Sequence, residues 1–157
     1  MPPQLLFDLS GIDLSHVVYS QDSIRENNPQ RGAMEHLNSI VYVNGELGRI
    51  IGCKEVGTDE FWVDGHIPGR PLLPGVIMIE AGAQLASFYT KKVMGWTGFI
   101  GFGGVEDCKF RQQVVPGDRM YILGQKIWER HRRVGCKVQG IVNGSMAFEA
   151  TIVGAQF

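Results

Sequence analysis

The 157-residue chain predicts an α+β fold, one long central helix packed against a five- to six-stranded antiparallel sheet. Three observations carry that expectation. Val76 to Met94 is apolar nearly all round and holds the helix formers Ala81, Ala83, Leu85 and Ala86, the mark of a helix buried on most faces. Asn44-Gly45 and Asn143-Gly144 each stand between β-rich runs, the strongest short hairpin signal. Met146, Phe148, Ala150 and Ile152 alternate with Ser145, Ala147, Glu149 and Thr151, as on a half-buried strand.

Taken in order, residues 1–37 carry turn signals at Ser10-Gly11, Asn27-Asn28-Pro29 and Arg31-Gly32, with one short helical turn at 22–26 or 33–37. Ile40 to Val43 reads as a strand, Leu47 to Val56 as its partner, and Glu60 to Val63 as a further short β-like run. Residues 65–75, GHIPGRPLLPG, form a stiff loop, because proline fixes its own φ and pushes the preceding residue extended. In the helix that follows, Lys91 and Lys92 suit the negative pole of the dipole and Gly95 is a natural stop. Gly98 to Val115, Met120 to Trp128 and Cys136 to Val142 complete the strands, separated by turns at Pro116-Gly117 and at the basic run Arg130 to Arg133. With no repeat period and no linker, the expectation is one domain over 1–157, with an atypical N-terminal segment at about 1–37.

Charge bounds the partners. Lys+Arg is 15 and Asp+Glu is 16, so no global basic field exists to gather nucleic acid. The charges are unevenly split: residues 1–75 hold five basic and ten acidic side chains, residues 76–157 ten and six. A local basic face toward an acidic partner and a chance distribution both fit that split. Cys53, Cys108 and Cys136 are odd in number and far apart, which argues against a disulfide framework or a zinc ribbon. The N-terminus lacks the basic region of a signal peptide, and the longest apolar stretch is interrupted by Glu80 and Gln84, which argues against a membrane span. The expectation is a cytoplasmic protein.

Three residues stand out chemically. Glu80 lies in an apolar helix, where burial of an ionised carboxylate is costly and favours the neutral acid. Glu80, Gln84 and Ser87 share one stripe at i, i+4, i+7, which fits either a wet helix face or a site. His66 lies in the stiffest loop, where rigidity can hold a general base in reach of its proton. Gly75 opens the helix, whose free N–H groups and partial positive charge can receive a carbonyl oxygen. A base, an acid and a carbonyl donor suit proton abstraction beside a carbonyl with proton delivery to a leaving hydroxyl.

The stretch His66 to Gln84, HIPGRPLLPGVIMIEAGAQ, resembles the signature of the FabZ-type 3-hydroxyacyl-acyl-carrier-protein dehydratases, including the spacing of fourteen from His to Glu. Gly104-Val105, Lys109-Phe110 and Val114-Val115-Pro116-Gly117-Asp118 are similar to the family's second block, so that the resemblance covers about residues 38–155. It implies a hot-dog fold, a long helix wrapped by the sheet. It also implies a homodimer with sites shared between chains, in some members a trimer of dimers. His66 would then take the α-proton of a 3-hydroxyacyl thioester, Glu80 would protonate the leaving hydroxyl, the Gly75 N–H would polarise the thioester carbonyl, and Gln84 would support Glu80. Ile67, Phe99 and Phe102 would line or gate the acyl tunnel. The partner would be an acidic acyl carrier protein, docking on Lys109, Arg111, Arg132 and Arg133. No metal or other cofactor is called for. The family's Arg-Tyr-Pro-Phe stretch is absent from Arg31 to Leu37, and Ile67 stands where phenylalanine is common. An enoyl-CoA hydratase, an acyl thioesterase and a non-catalytic acyl-binding protein are the alternatives.

Overall fold

A computed structural model describes residues 3–157. After a short helix α1 (Gln21–Asn27), the chain forms β1 (Ser39–Asn44), β2 (Arg49–Glu55), the long helix α2 (Gly75–Phe88), β3 (Ile100–Phe110), β4 (Arg119–Arg130), β5 (Arg133–Val142) and β6 (Ser145–Gln156). All pairings are antiparallel, in the order β1-β2-β4-β5-β6-β3. The sheet curls around α2, which packs against β2, β3, β4, β5 and β6.

The helix earns that central position by its composition. Ile77, Met78, Ala81, Gly82, Leu85, Ala86 and Phe88 are all buried, spread around the axis rather than along one stripe. Leu85 is wholly buried, and such a side chain contributes about 1.5–3 kcal/mol. Its methyl groups occupy the space over two glycines of the sheet: a Cβ at Gly52 would lie 2.9 Å, and at Gly124 3.3 Å, from them. Part of the glycine surplus is thus what lets α2 sit deep in the sheet. After Phe88 the helix widens by one residue per turn over Tyr89–Val93, where Met94 N–H bonds Tyr89 O at 3.0 Å, and it ends at Gly95 with φ 76°.

The Asn143-Gly144 signal gives the expected two-residue turn, both residues having positive φ (50° and 78°). The Asn44-Gly45 signal marks a hairpin but not that turn. Asn44 pairs with Arg49 across a four-residue loop, because Asn44 Oδ1 accepts from Leu47 N–H at 3.1 Å and Gly48 supplies the positive φ instead. Glu60 to Val63 is not a strand. Glu60 Oε2 accepts from Gly57 N–H at 2.8 Å, and Val63 N–H bonds Glu60 O at 3.1 Å, folding the run into turns.

Where one short helical turn is expected at either of two places, a helical element stands near each: α1, capped by the Ser20 side chain, and a single 3₁₀ turn at Gly32–Met34. Residues upstream of α1 cover the outer face of the sheet. Phe7 is buried there with Val41, Ile51, Cys53, Leu123, Ile141 and Met146, a second core that the sequence did not announce. Gln139 fastens this strap, accepting from Leu6 N–H (2.9 Å) and donating to Gln4 O (3.0 Å).

Candidate active site

The loop before α2 is built by its prolines and glycines. Arg70 N–H bonds Ile67 O at 2.9 Å across Pro68-Gly69, with Gly69 at φ 78°, the geometry of a type II turn. Leu73 N–H bonds Val114 O at 2.8 Å and anchors the far end of the loop to the segment after β3. His66 stands at its near end, exposed, with its main-chain N–H on Trp62 O at 2.9 Å. Its ring Nδ1 lies 2.8 Å from Leu72 O. A carbonyl only accepts, so the neutral ring carries its proton on Nδ1 and leaves a free lone pair on Nε2. The loop therefore presents His66 as a base.

Glu80 is half-buried on the second turn of α2. Gln84, one turn on and only 3% exposed, donates from Nε2 to Glu80 Oε2 at 2.9 Å. The orientation of that amide is forced by its surroundings. Its Oε1 accepts from His36 N–H at 3.0 Å, and its Nε2 donates to Met34 O at 2.7 Å. Asn28 Nδ2 donates to the main-chain carbonyl of Gln84 at 2.9 Å. With Oε2 of Glu80 engaged as an acceptor, Oε1 is left without a hydrogen-bond partner among the described residues.

Glu80, Gln84, Ala83, Ser87, Ile100 and Phe102 share a cleft between α2 and the β3–β6 edge of the sheet. His66 and Ile67 do not line it, and among the described residues no hydrogen bond or ion pair joins His66 to Glu80. Gly75 opens α2 with no side-chain cap, and the Phe110 ring lies directly over it: a Cβ there would be 2.7 Å from Phe110 Cζ.

The residues of the expected tunnel separate. Phe102 lines the cleft, whereas Phe99 lies outside it, tilted against Phe157 with ring centroids 6.0 Å apart. Ile67 sits on the loop, exposed. The four basic residues also fall in two places. Lys109 and Arg111 flank Phe110 beside Gly75, with Arg111 bonded to Glu149 and its N–H on Ala147 O. Arg132 forms the β4–β5 turn with His131, both at positive φ, and Arg133 pairs with Ala155. Ala147 and Ala155 stand eight positions apart along β6, roughly 26 Å at about 3.3 Å per residue, so the four do not make one patch within a chain.

Sequence reasoning missed a buried polar group behind Gln84. His36 and Lys54 are 1% and 2% exposed. Lys54 Nζ donates to Glu60 Oε1 at 2.9 Å and faces His36 Nδ1 at 3.3 Å, and the Trp62 indole N–H donates to Glu60 at 3.1 Å. An ammonium only donates, so the neutral His36 ring keeps its proton on Nε2. Burial, then the Lys54 charge, lower the His36 pKa from 6.5 to about 4, against the weaker pull of Glu60. The unfolded chain therefore binds a proton at His36 that the folded chain refuses until about pH 4. Stability is expected to fall as pH is lowered from about 6.5 toward 4, a loss that thermal melts of wild type beside His36→Gln will resolve. A melting-temperature difference between the two that stays constant across that window would remove His36 as its source. The signal available in the sequence was weak, since Lys54 sits in Ile-Gly-Cys-Lys-Glu-Val like an ordinary solvent-facing strand residue.

Residues 28–151 match the family model described as the FabA-like domain. Over 133 residues the chain is 32% identical to the 3-hydroxyacyl-acyl-carrier-protein dehydratase FabZ of Listeria monocytogenes serotype 4b (strain CLIP80459), covering 84% of this chain and 92% of that protein. It is 31% identical to the FabZ of Listeria welshimeri over the same shares. The dehydratase heterocomplex ApeI:P from Xenorhabdus doucetiae matches its structure with a TM-score of 0.71, at 14% identity, over 85% of this chain and 90% of that one. A hypothetical thioesterase with coenzyme A from Streptococcus pneumoniae TIGR4 matches with a TM-score of 0.64, at 10% identity, over 87% and 95%. The structural likenesses show the hot-dog fold. The strap and α1 precede the matched residues, whereas the His66 loop, α2 and the strands through most of β6 lie inside them, and the chain belongs to the FabA-like family.

Proposed function

We propose that this protein is a hydro-lyase converting (3R)-3-hydroxyacyl-acyl carrier protein to trans-2-enoyl-acyl carrier protein in fatty acid biosynthesis. The observation that carries the reading is the locked tautomer of His66, a free Nε2 base on the loop that leads directly into a helix bearing Glu80. Its support is the family membership and the FabZ relatives over most of the chain.

In the proposed reaction His66 Nε2 takes the C2 proton, whose acidity rises as the thioester carbonyl accepts from the Gly75 N–H. Glu80 gives the proton on Oε1 to the 3-hydroxyl. The C3–O bond breaks, water leaves, and the double bond forms between C2 and C3. His66 ends protonated and Glu80 ionised, and a proton passed back through solvent restores both. Gln84, donating to Oε2, steadies the carboxylate that the step creates.

The single chain keeps His66 out of the Glu80 cleft, which supports a homodimer in which each site takes His66 from one chain and Glu80 from the other. The edge strand β3 suits such pairing. It is eleven residues long, bonded only to β6 among the described strands, and shows Phe102, Val105 and Phe110 to solvent. A trimer of dimers is the larger assembly in keeping with it. The acidic carrier protein would dock at Lys109 and Arg111, which flank Phe110 beside Gly75, rather than at Arg132 and Arg133 some 26 Å away. No helix among the described residues is long and apolar enough to cross a membrane, in keeping with a cytoplasmic setting for the pathway.

Hydration of a crotonyl thioester, the reverse reaction, is read by the loss of enoyl absorbance. Purified protein is expected to hydrate it, and faster on carrier protein than on coenzyme A. Hydrolysis of the thioester with no hydration would make the protein a thioesterase instead.

A further inference from the structure

The two proposed catalytic residues lie on different elements, yet one buried polar chain joins their supports within a single protomer. From Glu80 it runs through the Gln84 amide to the main chain of Met34 and His36. The His36 ring faces Lys54 on β2. Lys54 bonds Glu60, and Glu60 bonds the indole of Trp62, whose carbonyl receives the His66 main-chain N–H.

We propose that the buried Lys54–Glu60 pair is a positioning device for the reaction, setting the His66 loop and the Gln84 clamp on Glu80 at one fixed distance from the sheet. This rests on the dehydratase reading given above. Lys54 lies near the end of β2, paired with Met120 of β4 and one residue beyond the Cys53–Ser39 pair with β1, and it is 2% exposed, so its buried ammonium is held against the sheet. Glu60 is its only carboxylate partner among the described residues, and the same carboxylate also accepts from Gly57 N–H and closes the turn that leads to His66. On the other side, the Lys54 ammonium obliges His36 to offer Nδ1 and so ties down the residue whose main-chain N–H orients Gln84. Were the Gln84 amide to turn over, it would present an oxygen to Glu80 and lose both bonds to residues 34–36.

A buried ion pair is costly to desolvate, and a hydrophobic replacement of equal volume is often as stable. Its retention here is explained by geometry rather than by stability. Neither Lys54 nor Glu60 touches the cleft that holds Glu80, so both act through other residues.

The test compares wild type with two variants of the full chain. Lys54→Met/Glu60→Gln removes both charges together and leaves no lone buried ion. Leu123→Ala opens a hole in the second core, away from the polar chain. Hydration of crotonyl thioester and the ¹⁵N spectrum of the His66 imidazole are read for each. The double variant is expected to lose at least about tenfold in kcat with KM within about twofold. Its His66 signal is expected to move from the Nδ1–H tautomer toward an average of the two. Leu123→Ala is expected to lower the melting temperature with neither change. A folded double variant that keeps its kcat and its tautomer overturns the proposal, and so does an equal loss in Leu123→Ala. Wild type that hydrates nothing sinks the dehydratase reading alone, and the imidazole spectra then decide the positioning claim by themselves.

Discussion

Replacing His66 by alanine is expected to lower the rate of crotonyl thioester hydration by about 10²–10⁴-fold, the usual contribution of a positioned base. That corresponds to about 3–5 kcal/mol of barrier. The loss should fall on kcat, because His66 meets the substrate chiefly through the proton it moves. His66→Asn sharpens the test. The asparagine amide can still donate to Leu72 O as Nδ1 does now at 2.8 Å, so the loop keeps its anchor while the base is gone. Asn and Ala should therefore be comparably inactive, with Asn the more stable. Activity near wild type in either variant would end the role given to His66. Stability should change little in both, since the side chain is exposed and packs against no core.

Glu80→Gln is expected to cost a similar factor, again about 10²–10⁴-fold. The amide keeps the shape of the acid and an oxygen able to accept from Gln84 Nε2, now 2.9 Å from Glu80 Oε2. What it lacks is a transferable proton. The fold should survive, because Glu80 is half-buried and Gln84 retains its bonds to Met34 and His36. Glu80→Asp should fall between the two, with a carboxyl present but withdrawn by one methylene from its partner and from the substrate. A Glu80→Gln enzyme that keeps most of its turnover would show that another group protonates the leaving hydroxyl.

Much of this was legible in the sequence because it is local. The Asn143-Gly144 turn is fixed by two residues that both tolerate positive φ. The central helix follows from apolar and small residues spread around its axis, and the rigid loop from its prolines. His66, Gly75, Glu80 and Gln84 fall within nineteen residues, and their spacing carries the family resemblance. What escaped is held by distant partners. The strap over the outer sheet depends on Gln139 meeting Leu6 and Gln4, and nothing in Leu5-Leu6-Phe7 says which face it will cover. Glu60 to Val63 has strand-like residues, yet Lys54, Trp62 and Gly57 all converge on the Glu60 carboxylate and turn the chain. Lys54 and His36 lie 18 residues apart, and the His36 N–H meets a Gln84 that is 48 residues away. A charge inside a sheet looks, in one dimension, like a charge on its surface. Lys109, Arg111, Arg132 and Arg133 carry no sign in one dimension of how far apart they fold: β6 meets the first two at Glu149 and Ala147, and Arg133 at Ala155.

The account turns on one site drawing His66 and Glu80 from two different chains, and subunit mixing tests that most directly. His66→Ala and Glu80→Gln chains, each inactive alone, are unfolded together in equal amounts and refolded. Half of the resulting dimers would be mixed, and each mixed dimer would hold one site with both wild-type residues and one with neither. The mixture is then expected to recover about a quarter of wild-type turnover. A mixture as inactive as its parents, with mixed dimers shown to have formed, would contradict the shared site and return both residues to a single chain.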